Sequence, residues 1–473
     1  MSSILGFTVK GLFGSRDIDL RFNNGVLVLV GPNGAGKSTV VNIFYFFVTR
    51  QWDRLLEHDF QSISLVLTAS ELSATRDEIF SLQRWGRALS ELGSGTRPAR
   101  LVARLRELGL LEEFLASGGL GAGGRKRFAD ALRVPTTEVL HLYQYLTRRL
   151  PESEGEFGGK KTSPELEKSL SDVIPGRVLY LPTYRRIEKD LTDIFPALED
   201  QMRRYGLLSP GGVGMAARSS AHFVDLVSFG MNDVQETIKR RLGGMRDYSL
   251  AKHNDLSATY LRDVIRGEGD SFKAKDIKGL TDQRVRQILD RVDEGALPKK
   301  DKQLLLTKVN EIQGRKRAEL SVHDKFLAHY FTRLVAVNAE IGERETDITS
   351  FVSVCNEYLS PSKRMVYDEL KFSLRIEDDA GKEIALSALS SGEKQIVSVF
   401  SHLYLDEHED QIVIIDEPEL SLSVPWQKRF LNDILESKRC SMLVAVTHSP
   451  FIYDEYLREA TVDLRRLTET RKA

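Results

Sequence analysis

The sequence predicts an α/β fold: a head built on a buried parallel sheet and interrupted by large helical insertions. Three observations carry this. Short apolar runs at Val26-Leu27-Val28-Leu29-Val30, Val178-Leu179-Tyr180-Leu181 and Gln411-Ile412-Val413-Ile414-Ile415 have the length and continuity of strands covered on both faces. The first of them ends in a glycine-rich turn that leads into an apolar helical pattern. Between the β-rich ends lie long stretches with helical spacing, as at Leu101, Leu105, Leu108 and Leu111.

Taken in order, Ile4 to Phe22 alternates apolar and polar residues around Gly11, Gly14 and Asn23-Asn24 and reads as a β-hairpin or meander. Phe60 to Leu67 reads as another strand. Gly118 to Gly124, Pro151 to Ser163 and Ser209 to Ser220 read as flexible connections. Lys299 to about Glu345 reads as long helical segments with Gly314 as a weak point. The β pattern resumes at Leu370 to Ile376, followed by the acidic turn Glu377 to Gly381, and the last strand is Met442 to Thr447. The expected organisation is an N-terminal lobe (1–68), a helical insertion (69–175), a head strand (176–190), a helical or coiled-coil insertion (191–364) and a C-terminal lobe (365–473).

Composition narrows the function classes. The 473 residues can bury a large core, with 41% hydrophobic and 29% charged. Lys+Arg (67) and Asp+Glu (68) balance to a net charge of −1, so any nucleic-acid contact must use a local patch. Cys355 and Cys440 stand alone, without a CxxC spacing, which excludes a disulfide framework and a cysteine zinc site. No apolar run reaches the roughly 18 residues of a membrane helix. The first residues lack the basic and apolar regions of a signal peptide, so a cytoplasmic protein with no membrane partner is expected.

Four motifs carry chemistry. Gly31-Pro32-Asn33-Gly34-Ala35-Gly36-Lys37-Ser38-Thr39 fits GxxxxGK[ST] after a buried strand and before a helix. Its glycines let backbone N–H groups approach phosphate oxygens, Lys37 reaches the β- and γ-phosphates and Ser38 ligates Mg²⁺. Asp416-Glu417 ends a buried strand, where Asp416 suits the Mg²⁺ shell and Glu417 suits a general base. Leu389-Ser390-Ser391-Gly392-Glu393-Lys394-Gln395 opens a helix. Alone it reads as a capping box between Ser390 and Glu393; between the other motifs it reads as an anion-facing helix start. Thr447-His448 ends the last strand, where a γ-phosphate sensor would sit.

These four motifs, in this order, resemble the ATPase head of the ABC superfamily in its soluble branch, with SMC, Rad-type and OLD-like proteins. On that resemblance Ser390 and Gly392 match the ABC signature, Asp416-Glu417 the Walker B motif, Leu420 to Ser423 the D-loop and His448 the switch histidine. The implied ligands are ATP and Mg²⁺. Asn33, Gly34, Ala35, Gly36, Lys37, Ser38 and Thr39 bind nucleotide from one subunit, and Ser390, Gly392 and Glu393 from another, so a homo-oligomer is implied. No glutamine is placed as a Q-loop, and Ser423 stands where many relatives carry Asp or His. The stretch Leu181-Pro182-Thr183-Tyr184-Arg185-Arg186-Ile187-Glu188, with Gly11-Leu12-Phe13-Gly14 and Asp416 to Gln427, is similar to bacterial anti-phage ATPases of the PARIS kind and, second, the Septu kind. That resemblance implies a scaffold that senses a phage-encoded trigger and releases or activates a separate effector, expected to be a nuclease.

The alternative is a DNA-repair or DNA-tethering ATPase like the SMC and RecF groups, with DNA as ligand. The insertion is short for SMC arms, and the near-zero charge gives no overall DNA signal. The 25 residues after His448 leave no room for a TOPRIM nuclease, and His253-Asn254 lacks the rest of an HNH motif. Basic clusters at Arg125-Lys126-Arg127, Lys239-Arg240-Arg241 and Arg315-Lys316-Arg317 read first as solvated helical faces. Arg185-Arg186 divides evenly between a salt bridge and a nucleotide or interface role. Phe13 reads first as core and second as an adenine platform.

Overall fold

The computed structural model describes all residues except 1–3, 91–96, 109, 111–113, 115–121, 150–162, 175, 183–222, 226–230, 269–279, 293–294, 296, 315–319, 407, 409, 454–455 and 471–473. Arg185-Arg186, Arg315-Lys316-Arg317, the 209–220 connection and most of the 151–163 connection lie outside the described residues. The chain divides into two compact units, one formed by Met1–Val227 with His408–Ala473 and the other by Ser228–Glu407.

In the first unit, β1 (Ile4–Leu12) and β2 (Arg16–Arg21) form the expected antiparallel hairpin. After β3 (Val26–Val30), helix α1 (Lys37–Val48) and a short α2 (Trp52–Leu55) lead to β4 (Ser62–Leu67) and β5 (Glu71–Thr75). Helices α3 (Arg76–Ser90), α4 (Arg97–Glu107), α5 (Ala122–Leu132), α6 (Thr136–Arg149) and α7 (Ser163–Val173) follow, then β6 (Val178–Leu181) and β7 (Phe223–Asp225). Strand β5 occupies the start of the stretch expected to be helical. Its Leu72 and Ala74 alternate with exposed Glu71, Ser73 and Thr75, and it pairs along β4 in register. Helix α5 starts at Ala122, inside the expected Gly118–Gly124 connection, because Phe128, Ala129 and Leu132 bury a face against Phe114, Leu105 and Leu142.

Two sheets enclose α1. The antiparallel sheet has the order β14-β2-β1-β4-β5, where β14 is Thr468–Thr470. The parallel sheet has the order β13-β3-β12-β11-β6-β7, with β11 (Gln411–Asp416), β12 (Cys440–Val446) and β13 (Thr461–Asp463). Helix α1 is apolar on almost every side because each side meets a sheet. Phe44 packs edge-on against Phe7 of β1 at 5.1 Å, and Tyr45 stacks on Tyr180 of β6 at 4.3 Å. Gly176 is required where the chain enters β6: a Cβ there would lie 1.5 Å from the Asp410 carbonyl oxygen.

The second unit contains α8 (Asn232–Ile265), α9 (Asp282–Asp290), α10 (Lys299–Gly314) and α11 (Val322–Leu359). Lys299–Gly314 is helical as expected, and the next helix starts at Val322; residues 315–319 between them lie outside the described residues. Helices α8 to α11 share a core of Leu256, Ile288, Val309, Phe331 and Leu334. A small sheet of β8 (Lys363–Asp368), β9 (Ser373–Asp378) and β10 (Glu383–Ile384) precedes α12 (Ser391–Leu405). The segment expected as a single C-terminal lobe is therefore divided: residues 365–407 belong to this unit, and β11 onward to the first. Helix α13 (Val424–Glu436) joins β11 to β12.

Candidate nucleotide-binding site

The parallel sheet brings three loops to one edge. In the order β3-β12-β11, the strand carrying Thr447-His448 at its end lies between the strand that feeds Gly31–Thr39 and the strand that ends in Asp416. Ligands bind at such carboxyl ends of parallel strands because the connecting loops and helix N-termini converge there. Gly36, at φ 94°, turns the chain into α1 in a conformation that favours glycine, and Lys37 begins the helix.

Lys37 is buried, and its ammonium uses all three hydrogens. It donates to the carbonyl of Gly31 at 2.9 Å, to that of Pro32 at 3.1 Å and to His448 Nε2 at 2.8 Å. Burial lowers the Lys37 pKa, against the opposing charges of Asp416, Glu417, Glu419 and Asp463. Ser38 donates its hydroxyl to Asp416 Oδ1 at 3.1 Å, joining residues 378 positions apart. A hydroxyl and a carboxylate oxygen side by side are hard donors, and that donor set fits Mg²⁺.

Glu417 adopts φ 52°, a left-handed conformation that costs a non-glycine residue of order 1–3 kcal/mol. Its N–H donates to the Val446 carbonyl at 2.8 Å, which holds the turn against β12. Desolvation raises the Glu417 pKa, helped by the Asp416 and Glu419 charges and opposed by His448 and Lys37. Lys37, Ser38, Asp416, Glu417 and His448, expected to act together from their motifs alone, thus form one cluster within one unit.

Glu419 belongs to none of the four motifs. One carboxylate oxygen accepts the N–H of His448 at 2.7 Å and of Ser449 at 3.2 Å, and the other accepts the Thr447 hydroxyl at 2.8 Å. Gln427 adds a second tie, accepting the Ser449 hydroxyl at 2.7 Å and donating to the Leu422 carbonyl at 2.9 Å. Phe13, read first as core, is instead 51% exposed at φ 52°. Its ring lies beside the phosphate loop, where a Cβ on Gly36 would come within 3.7 Å of it. The hairpin turn lifts it out of the sheet's core pattern.

Ser390, Gly392 and Glu393 belong to the second unit. Ser390 caps α12, and the capping box is complete: Glu393 N–H donates to Ser390 Oγ at 3.4 Å, and Ser390 N–H to Glu393 Oε2 at 2.6 Å. Lys363 donates to both Glu393 oxygens, at 2.9 and 2.6 Å. Burial works to raise the Glu393 pKa, but Lys363 and Ser390 outweigh it and hold it low. This carboxylate is therefore spent inside its own unit, as support for the turn, while Ser390 is exposed. Of the basic clusters, Arg241 pairs with Asp347 at 2.7 Å and Arg240 with Asp406 at 3.4 Å. His253 lies in the middle of α8 with Nδ1 2.8 Å from the Ser249 carbonyl oxygen.

A glycine-rich loop before α1, a carboxylate pair after β11 and a histidine after β12, all at one end of a parallel sheet, are consistent with the fold of an ABC-type P-loop ATPase head with helical insertions. Residues 242–454 match the family model described as "AAA domain, putative AbiEii toxin, Type IV TA system". Among solved structures, the chain is similar to an Smc head domain with an extended coiled coil bound to the C-terminal domain of ScpA, from Pyrococcus furiosus. That match has 13% identity and a TM-score of 0.34, and covers 99% of this chain and 96% of that one. An Smc head domain with a coiled coil and joint, from Pyrococcus yayanosii, has 15% identity and a TM-score of 0.30, covering 96% and 93%. No curated protein sequence matches the chain. Among the described residues, no helix is long and apolar enough to cross a membrane.

Proposed function

We propose that the protein binds and hydrolyses ATP at composite sites between subunits of a homo-oligomer. The observation that carries the ATP-binding part of this reading is the pairing of Lys37 with His448 and of Ser38 with Asp416, drawn from three loops; the composite, inter-subunit part rests on the ABC resemblance. In the mechanism, Lys37 and the N–H groups of Asn33 to Thr39 hold the β- and γ-phosphates. Ser38 and Asp416 would hold Mg²⁺, which when bound neutralises phosphate charge. Glu417 takes a proton from the attacking water as the water oxygen bonds to the γ-phosphorus and the bond to the ADP oxygen breaks. His448 faces the γ-phosphate, and Ser390 and Gly392 of another subunit close the open side against water. Exposed Leu420, Val424 and Phe451, on the segments flanking Glu417 and His448, supply apolar surface for that second subunit.

At the level of biology, the protein acts as a sensor and scaffold in bacterial anti-phage defence, holding a separate effector, a nuclease, that a phage-encoded trigger releases or activates. Support comes from the similarity of residues 11–14, 181–188 and 416–427 to PARIS-kind ATPases. Tagged Glu417→Gln protein, expressed from its native gene neighbourhood and captured with nuclease-treated controls, tests this. A stoichiometric nuclease-type partner is expected. Recovery of DNA without such a partner would replace the reading with that of an SMC- or RecF-like DNA-tethering ATPase.

A further inference from the structure

We infer that Glu419 is the positioning residue of the switch loop, fixing His448 at the phosphate end of the site through hydrogen bonds to the loop's own backbone. The geometry is specific. His448 is exposed and lies two residues past the end of β12, and the Lys37 ammonium meets its ring at 2.8 Å. What holds its main chain is the Glu419 carboxylate, which accepts two successive N–H groups, of His448 and Ser449, through one oxygen. The second oxygen takes the Thr447 hydroxyl, and that hydroxyl accepts the Ser449 N–H at 3.0 Å. Charge-assisted hydrogen bonds of this kind are roughly twice as strong as neutral ones.

Gln427 completes the arrangement. It anchors Ser449 on one side and the Leu422 and Glu419 carbonyls on the other, at 2.9 and 3.4 Å. The loop after β11 and the loop after β12 are therefore tied together by hydrogen bonds, and between them they carry Glu417 and His448. Displacement of Leu420 to Ser423 at a subunit contact would reach His448 through these bonds. Glu419 touches no reacting atom; its charge lies near Glu417, and its hydrogen bonds act through His448.

The kinetic arm of the test rests on the ATPase reading; the spectroscopic arm does not. Glu419→Ala should lower kcat for ATP about 10- to 100-fold, as expected when a reacting group is misplaced by about an ångström, with KM unchanged within about threefold. Glu419→Gln, which still offers an acceptor to the two N–H groups, should recover most of that loss. The pair Glu419→Ala/His448→Ala should be no slower than His448→Ala alone, because both remove one function. Independently, the ¹³C resonance of the His448 ring in histidine-labelled full-length protein, assigned by its loss in His448→Gln, should shift or broaden in Glu419→Ala and return in Glu419→Gln. A wild-type protein that does not hydrolyse ATP would overturn the ATPase reading while leaving this signature to be read. A His448 resonance indifferent to Glu419→Ala, or fully additive kinetic losses, would overturn the positioning role.

Discussion

Replacing Glu417 by Gln separates holding ATP from cleaving it. The substitution keeps side-chain volume and leaves the main chain at φ 52°, because the N–H bond to Val446 at 2.8 Å does not involve the side chain. The neighbouring contacts, Ser38 to Asp416 and Lys37 to His448, are also untouched. What is lost is a carboxylate that burial and the Asp416 and Glu419 charges make more basic than an ordinary one, which is the property a general base near neutral pH requires. General-base removal costs roughly 10²- to 10⁴-fold, or about 3–5 kcal/mol of barrier at 1.36 kcal/mol per decade. Binding should hold or tighten, since one negative charge beside the triphosphate disappears. Single-turnover release of labelled phosphate gives the rate, and fluorescence of a labelled ATP gives the affinity. Hydrolysis within about threefold of wild type would refute the role of Glu417. Equal losses of rate and affinity would show that the residue organises the site instead.

Other consequences can be measured on the same protein. Lys37→Ala should weaken ATP binding by about 100-fold or more, the loss of a buried charge-assisted contact, read by calorimetry alongside the melting temperature. Hydrolysis should fall on acidification from a higher pH than an ordinary carboxylate would give, because Glu417 works only ionised and its pKa is raised; a pH–kcat/KM profile shows whether the acid limb lies there. His402 is buried between Asp233 and Asp406, each at 3.3 Å. Burial opposes its charge, but the two carboxylates prevail and raise its pKa. Its stabilisation is therefore complete below its unfolded value of about 6.5 and lost as pH rises through the folded one, so denaturation midpoints should decline across that interval. His402→Gln should remove that pH dependence.

The parts of the fold and site that were legible in the sequence are those encoded locally. Val26 to Val30 must be buried because no polar residue interrupts it, and glycines at 34 and 36 before Lys37 leave few alternatives to a phosphate loop. Asp416-Glu417 follows an unbroken apolar strand, so its position at a sheet edge was readable. Glu419 was not, since two of its partners are backbone N–H groups 29 and 30 residues away, which any residue type supplies, and the third is the Thr447 hydroxyl 28 residues away. Strand β5 escaped because Glu71, Ser73 and Thr75 dilute its apolar content, and its partner strand determines its conformation. Phe13 misled for the opposite reason: an aromatic inside an alternating hairpin looks buried, and only the left-handed turn turns it outward. The Ser390–Glu393 pattern was read both as a cap and as an anion site. The cap is formed, and it leaves Ser390 facing solvent.

The central claim, a site completed by a second subunit, is tested most directly by mixing two inactive proteins. Lys37→Ala lacks a working phosphate loop, and a bulky Ser390→Arg lacks a working signature. In a mixed dimer, the intact loop of one subunit meets the intact signature of the other at one of the two sites. Equimolar mixing, with half of the dimers mixed, should therefore restore ATP hydrolysis to about a quarter of the wild-type rate. A mixture no faster than the average of its two components would contradict the composite site.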